Sequence, residues 1–157
     1  MNDDEYFMRE ALKEAYKAYE KDEVPIGAVI VANKRVIARA HNLTETLNDV
    51  TAHAEMQAFT AAANAIGGKY LTECTLYVTL EPCLMCASAA YWTQVSSIVF
   101  GASDPKRGYI SVIQKTGIKN GSINRMVLHP KTAVKSGIME DECAKLLKDF
   151  FKKKRTR

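Results

Sequence analysis

Cys74-Thr-Leu-Tyr-Val-Thr-Leu-Glu-Pro-Cys-Leu-Met-Cys86 decides the fold class. Its first seven residues are β-branched, aromatic or apolar and predict a strand. Pro82 suits the first position of a helix that starts at Cys83 and continues through Cys86-Ala-Ser-Ala-Ala90. Downstream, Ser97-Ile-Val-Phe100 predicts a short strand stopped by Gly101. Upstream, Thr51 is a candidate cap for an Ala-rich helix that ends near Gly67-Gly68. Before it come strand Gly27–Ala32, a turn at Asn33-Lys34, strand Val36–Ala40 and a polar loop from His41 to Val50. The chain starts with an amphipathic helix over residues 3–21, capped by Asp3 or Asp4, with Met8, Ala11, Leu12, Ala15, Tyr16 and Tyr19 at helical spacing. Residues 102–130 show no regular pattern. Lys131–Lys135 predicts a last strand, and Met139–Lys153 a last helix with Cys143, Leu146, Leu147, Phe150 and Phe151 as its apolar positions. Strands alternating with helices imply an α/β fold whose sheet is covered on both faces.

Length and charge narrow the organisation. One domain over residues 1–157 suits 157 residues of which 47% are hydrophobic and 25% charged. The formal charge is +4, from 22 Lys+Arg against 18 Asp+Glu. Residues 152–157, Lys-Lys-Lys-Arg-Thr-Arg, hold five of the positive charges and read as a basic C-terminal tail on a nearly neutral body. That excludes a polybasic body and leaves a local contact for an acidic partner. No apolar run reaches the length of a membrane span, and the acidic Met1-Asn-Asp-Asp-Glu-Tyr6 lacks the basic and apolar regions of a signal peptide. A cytoplasmic address follows, where thiols stay reduced and a Cys-x-x-Cys pair reads as a metal or redox site.

Two helix starts carry the chemistry: Thr51-Ala-His-Ala-Glu55 and Glu81-Pro-Cys-Leu-Met-Cys86. Cys83 and Cys86, three positions apart, share one helix face. In a first turn the positive end of the helix favours thiolate over thiol. Two thiolates and the His53 imidazole form a donor set that suits zinc. Three protein ligands leave a fourth position for water, whose pKa zinc lowers from about 16 to about 7. Glu55 is two residues from His53, too close to be an obvious further ligand and well placed to move a proton. Alone, a Cys-x-x-Cys pair is more often structural zinc, redox or core, and a His-x-Glu means little. Their conjunction at two helix starts is the signature of zinc nucleobase deaminases.

On these residues the chain resembles the cytidine/deoxycytidylate deaminase superfamily and, within it, the bacterial tRNA-specific adenosine deaminases. Further matches are Tyr6-Phe-Met8, Glu23-Val-Pro-Ile-Gly-Ala28, His41-Asn42, Thr75 through Cys83, Met85-Cys-Ala87, Val99-Phe-Gly-Ala102 with Asp104, Asp141-Glu-Cys143, and Leu146-Leu-Lys-Asp-Phe-Phe151. The resemblance implies a three-layer α/β/α sandwich around a mixed five-stranded sheet. It implies one zinc per subunit held by His53, Cys83 and Cys86, and a homodimer. The implied reaction is hydrolysis of a cyclic amidine C–N bond, turning adenosine into inosine at the wobble position of a tRNA anticodon stem-loop. A zinc-activated water would attack C6, with Glu55 protonating the ring nitrogen. Asn42 would hydrogen-bond the flipped-out base, the Ala54 backbone would touch its edge, and Val24 and Pro25 would pack beside it.

Other residues keep two readings. Asn42 is a base-edge reader or an Asx-turn. Asp104-Pro-Lys106-Arg107 is a nucleic-acid contact loop or a solvated turn. Phe150 and Phe151 suit a stacking platform or the end of the core, one ring inward and one outward. Three stretches depart from the family pattern: Tyr91-Trp-Thr-Gln-Val-Ser-Ser97, whose Tyr91-Trp92 is reminiscent of guanine deaminases, the long 109–130 segment, and Gly121-Ser-Ile-Asn-Arg-Met126. Two rival functions follow. One is a guanine, cytosine or nucleoside deaminase of the same superfamily. The other is a non-catalytic nucleic-acid-binding module whose zinc is closed by His41 or Cys74. Cys74 and Cys143 otherwise read as small buried hydrophobes, and His129 as a surface residue.

Overall fold

The computed structural model describes residues 2–156. The elements run α1 (Asp3–Glu20), β1 (Gly27–Ala32), β2 (Arg35–His41), α2 (Ala54–Ile66), β3 (Cys74–Leu80), α3 (Leu84–Thr93), β4 (Ser97–Ala102), α4 (Tyr109–Gln114), α5 (Asn120–Val127), β5 (Ala133–Lys135) and α6 (Glu140–Arg155). The strands make one five-stranded sheet in the order β2-β1-β3-β4-β5. Pairs β1/β2 and β1/β3 are antiparallel, and β3/β4 and β4/β5 are parallel, so the sheet is mixed. Asn33 and Lys34, with φ of 51° and 61°, close the β1/β2 hairpin as a left-handed two-residue turn.

The period of two along each strand sorts the core into two layers. Ala28, Ile30, Leu76, Val78, Ile98 and Phe100 face α2 and α3. Val29, Val31, Tyr77 and Val99 face α1 and α6 through Phe7, Met8, Leu12, Cys143 and Leu146. This is the expected three-layer α/β/α sandwich. Cys74 and Cys143 are both buried and free.

Several local expectations change. Asn2, not Asp3 or Asp4, caps α1, its side-chain oxygen accepting the Glu5 N–H at 2.8 Å. Tyr16 is exposed. Thr51 does not cap α2, because its N–H and hydroxyl both donate to Asp49 Oδ1 at 2.8 and 2.7 Å. Pro82 stands one residue before the cap of α3, which is Cys83. Gly101 does not stop β4, which runs on to Ala102, and glycine is needed there because any Cβ would run into the Cys143 sulfur of α6. The 102–130 stretch contains α4 and α5, and Gly121–Met126 lies inside α5. Tyr109 is fully buried and its hydroxyl donates to Asn124 Oδ1 at 2.7 Å, while Ile123 and Leu128 join the α2/α3 core. The basic tail is largely the last turn of α6, which runs through Arg155. Arg157 lies outside the described residues. Lys154 reaches Asp22 at 2.6 Å and Lys153 stands over the Tyr19 ring. No helix among the described residues is long and apolar enough to cross a membrane.

Candidate metal centre and active site

The sheet places the site by ending β3 at Leu80, so that the next turn opens α3 beside the start of α2. His53 is the N-cap residue of α2 and Cys83 that of α3, and neither side chain makes a cap hydrogen bond. Each cap side chain is therefore free to point at the other, with the positive ends of two helices converging between them. His53 Nδ1 lies 3.6 Å from Cys83 Sγ and 3.5 Å from Cys86 Sγ. A tetrahedral zinc, with bonds of about 2.1 Å to nitrogen and 2.3 Å to sulfur, has N···S edges of about 3.6 Å. The donor set and its spacing thus fit zinc. Among the described residues this group has three members, His53, Cys83 and Cys86.

Protonation within the group is uneven. A hydrogen bond from Cys86, and after burial has worked against it one with His53, draw the Cys83 thiol down to about 4. Cys86 moves the other way, raised by its bond to Cys83, by burial and by the charge of Glu55. His53 is raised by its bond to Cys83, against burial. A dication replaces protons held in such a cluster, and the thiolates become its ligands.

Glu55 sits in the first turn of α2 with 4% of its surface exposed. Burial pushes its carboxyl up to about 7; its own backbone N–H opposes that and the Cys83 charge adds to it. The Cys86 thiol also hydrogen-bonds it. A carboxyl that exchanges a proton near neutrality, beside a three-ligand metal group, is equipped for general acid–base work.

Two walls flank this centre. On one, Asn42 makes the Asx-turn: Oδ1 accepts the Thr44 N–H at 3.2 Å, and Nδ2 donates to the Val24 carbonyl at 3.3 Å. Leu43 N–H donates to Ala52 C=O at 3.0 Å, which ties this loop to the residue before His53. Glu23, which the sequence reading left without a role, holds the same loop from beneath, accepting Glu45 and Thr46 N–H at 2.9 and 2.6 Å. Pro25 and Ala54 are buried, so they back the wall and only Val24 shows surface. On the other wall, Asp104 Oδ1 accepts the Lys106 and Arg107 N–H groups, each at 3.1 Å, and shapes that loop.

A groove of about 630 Å³ brings Val24, Asp104 and Lys106 together, joined by Arg107, Phe151 and Arg155; Asn42, His53, Glu55, Cys83 and Cys86 do not line it. Phe150 does not belong to it. It is 3% exposed and packs edge-on against Tyr19, whereas Phe151 is 44% exposed. The aromatic groove residue is therefore Phe151; the α6 periodicity carries Phe150 into the α1/α6 layer and turns Phe151 out. His41 is engaged with Glu14 and Lys21, and Cys74 begins β3 at the end remote from Leu80, so neither closes the metal group. His129 is half-buried beside the Tyr91 ring. Tyr91 and Trp92 face outward on α3, Trp92 75% exposed, beside Met126 of α5.

Residues 1–155 match the model of the MafB19-like deaminases. A tRNA-specific adenosine deaminase of Bacillus subtilis is 47% identical over 155 residues, which cover 99% of this chain and 92% of that protein. Its counterpart in Agrobacterium fabrum is 45% identical over 150 residues, covering 96% and 95%. The chain belongs to the tRNA-specific adenosine deaminase family. A solved tRNA:A34 deaminase, from work on A-to-I editing at the wobble position of transfer RNA, superposes with a TM-score of 0.79 at 44% identity, covering 90% of this chain and 98% of that one. The guanine deaminase of Bacillus subtilis is more distant, with a TM-score of 0.62 at 32% identity over 80% of this chain and 76% of its own. Members of this family are hydrolytic deaminases, and this chain brings His53, Cys83 and Cys86 together as a group that could hold a metal ion.

Proposed function

We propose that this chain hydrolyses adenosine to inosine at the wobble position of a tRNA anticodon, with release of ammonia. The observation that carries the deaminase chemistry is the His53–Cys83–Cys86 triangle with the enclosed Glu55 beside it, and the likeness to tRNA-specific adenosine deaminases at 47% and 45% identity supports the tRNA substrate. Bound to those three side chains, zinc supplies the Lewis acidity that brings a water's pKa near neutrality. Glu55 moves both protons of the water: it accepts the first as the water attacks C6 and places it on the ring nitrogen, then takes the second from the new C6 hydroxyl and passes it to the amine, which departs as ammonia. Asn42, held by Val24 and Thr44, orients the base edge, and Val24 packs against its face. Ala54 and Pro25 keep that wall rigid and dry. Lys106, Arg107, Lys148 and Arg155 rim the groove and suit phosphates, and Phe151 suits stacking on a neighbouring base. Asp104 acts by shaping the loop.

The same reading takes the chain as one catalytic unit acting in the cytoplasm with one zinc per subunit. A second copy covers the exposed Leu84, Trp92 and Met126 surface to form a homodimer. The guanine reading rested on Tyr91-Trp92, and those rings look outward on α3, Trp92 75% exposed. The test is an anticodon stem-loop with adenosine at the wobble position, assayed beside free guanine, cytosine and adenosine. Inosine and ammonia in equal amounts from the stem-loop support the proposal. Turnover of free guanine without stem-loop turnover overturns it.

A further inference from the structure

Glu81 is an acidic side chain in the Glu-Pro-Cys segment that the chemistry above does not use. It is 3% exposed, and a buried carboxylate without partners is costly. Glu81 has partners on every side, all from one segment across the site. Its Oε1 accepts the Asp104 N–H at 3.0 Å and the Ser111 hydroxyl at 3.2 Å. Its Oε2 accepts the Ile110 and Ser111 N–H groups at 2.9 and 3.2 Å, with the Ser111 hydroxyl also within 3.4 Å. The backbone on either side of it reaches the same segment: Glu81 N–H donates to Ala102 C=O, and Tyr109 N–H donates to Pro82 C=O, each at 2.8 Å. Gly108 lies directly against the carboxylate, where any Cβ would collide with it.

The bonds from Asp104 and from Ile110 and Ser111 bracket residues 105–109. That span carries Lys106 and Arg107, which rim the groove, and its far end bridges to Cys83. We propose that Glu81 is a positioning residue that latches the substrate-side 103–111 segment to the start of the metal-binding helix. The groove rim is then held at a fixed place against the start of that helix. Misplacement of such groups by about 1 Å costs on the order of a hundredfold in rate, which makes a latch of this kind worth its buried charge.

The proposal rests on the tRNA deaminase reading, and the test separates the two. Glu81→Gln keeps size but turns an amide N–H₂ toward N–H donors. In hydrogen exchange, the Asp104, Ile110 and Ser111 amides of the variant speed up by about tenfold or more, while α1 and β1 amides are unchanged. Bound zinc per chain stays at the wild-type value. KM for the stem-loop rises several-fold, and by more than kcat falls. Unchanged exchange at those three amides overturns the latch, as does faster exchange with unchanged KM, or loss of zinc. Ser111→Ala, which removes only the hydroxyl donor, shows the same exchange pattern weakly and covers the case in which Glu81→Gln does not fold. If the wild-type protein makes no inosine, the functional reading falls and the exchange result still decides the latch.

Discussion

Glu55 and Glu81 are the same residue type at nearly the same depth, 4% and 3% exposed. One lies two residues after His53, the other two residues before Cys83. Their surroundings differ most plainly in the supply of N–H donors, and Glu55 also faces the charges of the Cys83 and His53 group. Glu81 receives three backbone N–H groups and a hydroxyl from a single segment. Glu55 has its own backbone N–H and a thiol, and burial lifts it to about 7. Burial strips water from both, and donors decide what the group does next. Saturated with donors, a carboxylate becomes a fixed fastening. Nearly without them, it becomes a group that exchanges a proton near neutral pH.

The largest effects test the Glu55 side. Cys86→Ala removes a metal ligand and the thiol that touches Glu55. Zinc per chain, read by atomic absorption, falls well below one and turnover vanishes. Uptake of zinc displaces the protons held by Cys86 and His53, so affinity in the wild type weakens as pH falls. Glu55→Gln comes next. It keeps zinc and lowers kcat on the stem-loop by about 10²–10⁴-fold, the range for a general acid–base group, with KM little changed. Glu81→Gln acts mainly on KM. If both substitutions act equally on kcat, the two glutamates do not differ as the donors imply.

The sequence makes Glu55 far easier to find than Glu81. His53-Ala-Glu55 and Cys83-Leu-Met-Cys86 are defined by residue type and short spacing, and helix geometry alone brings such side chains to one place. The β1 and β3 strands were legible for the same reason, because a short apolar, β-branched run is a local signal. Glu81, by contrast, finds its partners at Asp104, Ile110 and Ser111, 23 to 30 positions away. They contribute mostly backbone N–H groups, which leave no trace in side-chain pattern. The α4 and α5 helices hid because they span six and eight residues and neither cap residue, Gly108 or Lys119, makes a side-chain cap bond. Phe150 and Phe151 could be sorted only by knowing which face of α6 meets Tyr19.

Gly108→Ala attacks the latch without touching its charge. The new methyl group has no room beside the carboxylate and displaces it from its donors. The variant reproduces the Glu81→Gln exchange pattern and KM rise. In a double-mutant cycle the two changes are far from additive, because each removes the same contact. Additive effects on KM would mean that Gly108 and Glu81 act separately.

Glu23 extends the comparison to the opposite wall and makes it a question of pH. Burial opposes its charge, but the Thr46 hydroxyl and the Glu45 and Thr46 N–H groups outweigh that and hold it below its ordinary 4.5. Above pH 4.5 the group is ionised both folded and unfolded, and its full contribution to stability is present. As pH falls through 4.5 the unfolded chain takes up the proton first, so the contribution shrinks until the native value is passed. Glu23→Gln therefore lowers Tm most above pH 4.5, and the gap to wild type narrows in acid. A gap independent of pH would show that the bonds to Glu45 and Thr46 do not depend on the charge.

The smallest effect measures what the latch delivers. Lys106 rides on the loop that Glu81 holds, whereas Lys154 is tied to Asp22 at 2.6 Å. Each cation that neutralises a phosphate adds about 0.7 to 0.9 to the slope of log affinity against log salt. Lys106→Ala lowers that slope for the stem-loop by about one in the wild-type background, and Lys154→Ala leaves it nearly unchanged. In the Glu81→Gln background, Lys106→Ala removes less, because a released loop no longer brings that ammonium to a fixed phosphate. If Lys106 contributes the same slope in both backgrounds, the lysine finds its phosphate without the latch. Glu81 would then be holding the loop for some other group, with Arg107, its neighbour on the groove rim, the next substitution to make in the same pair of backgrounds.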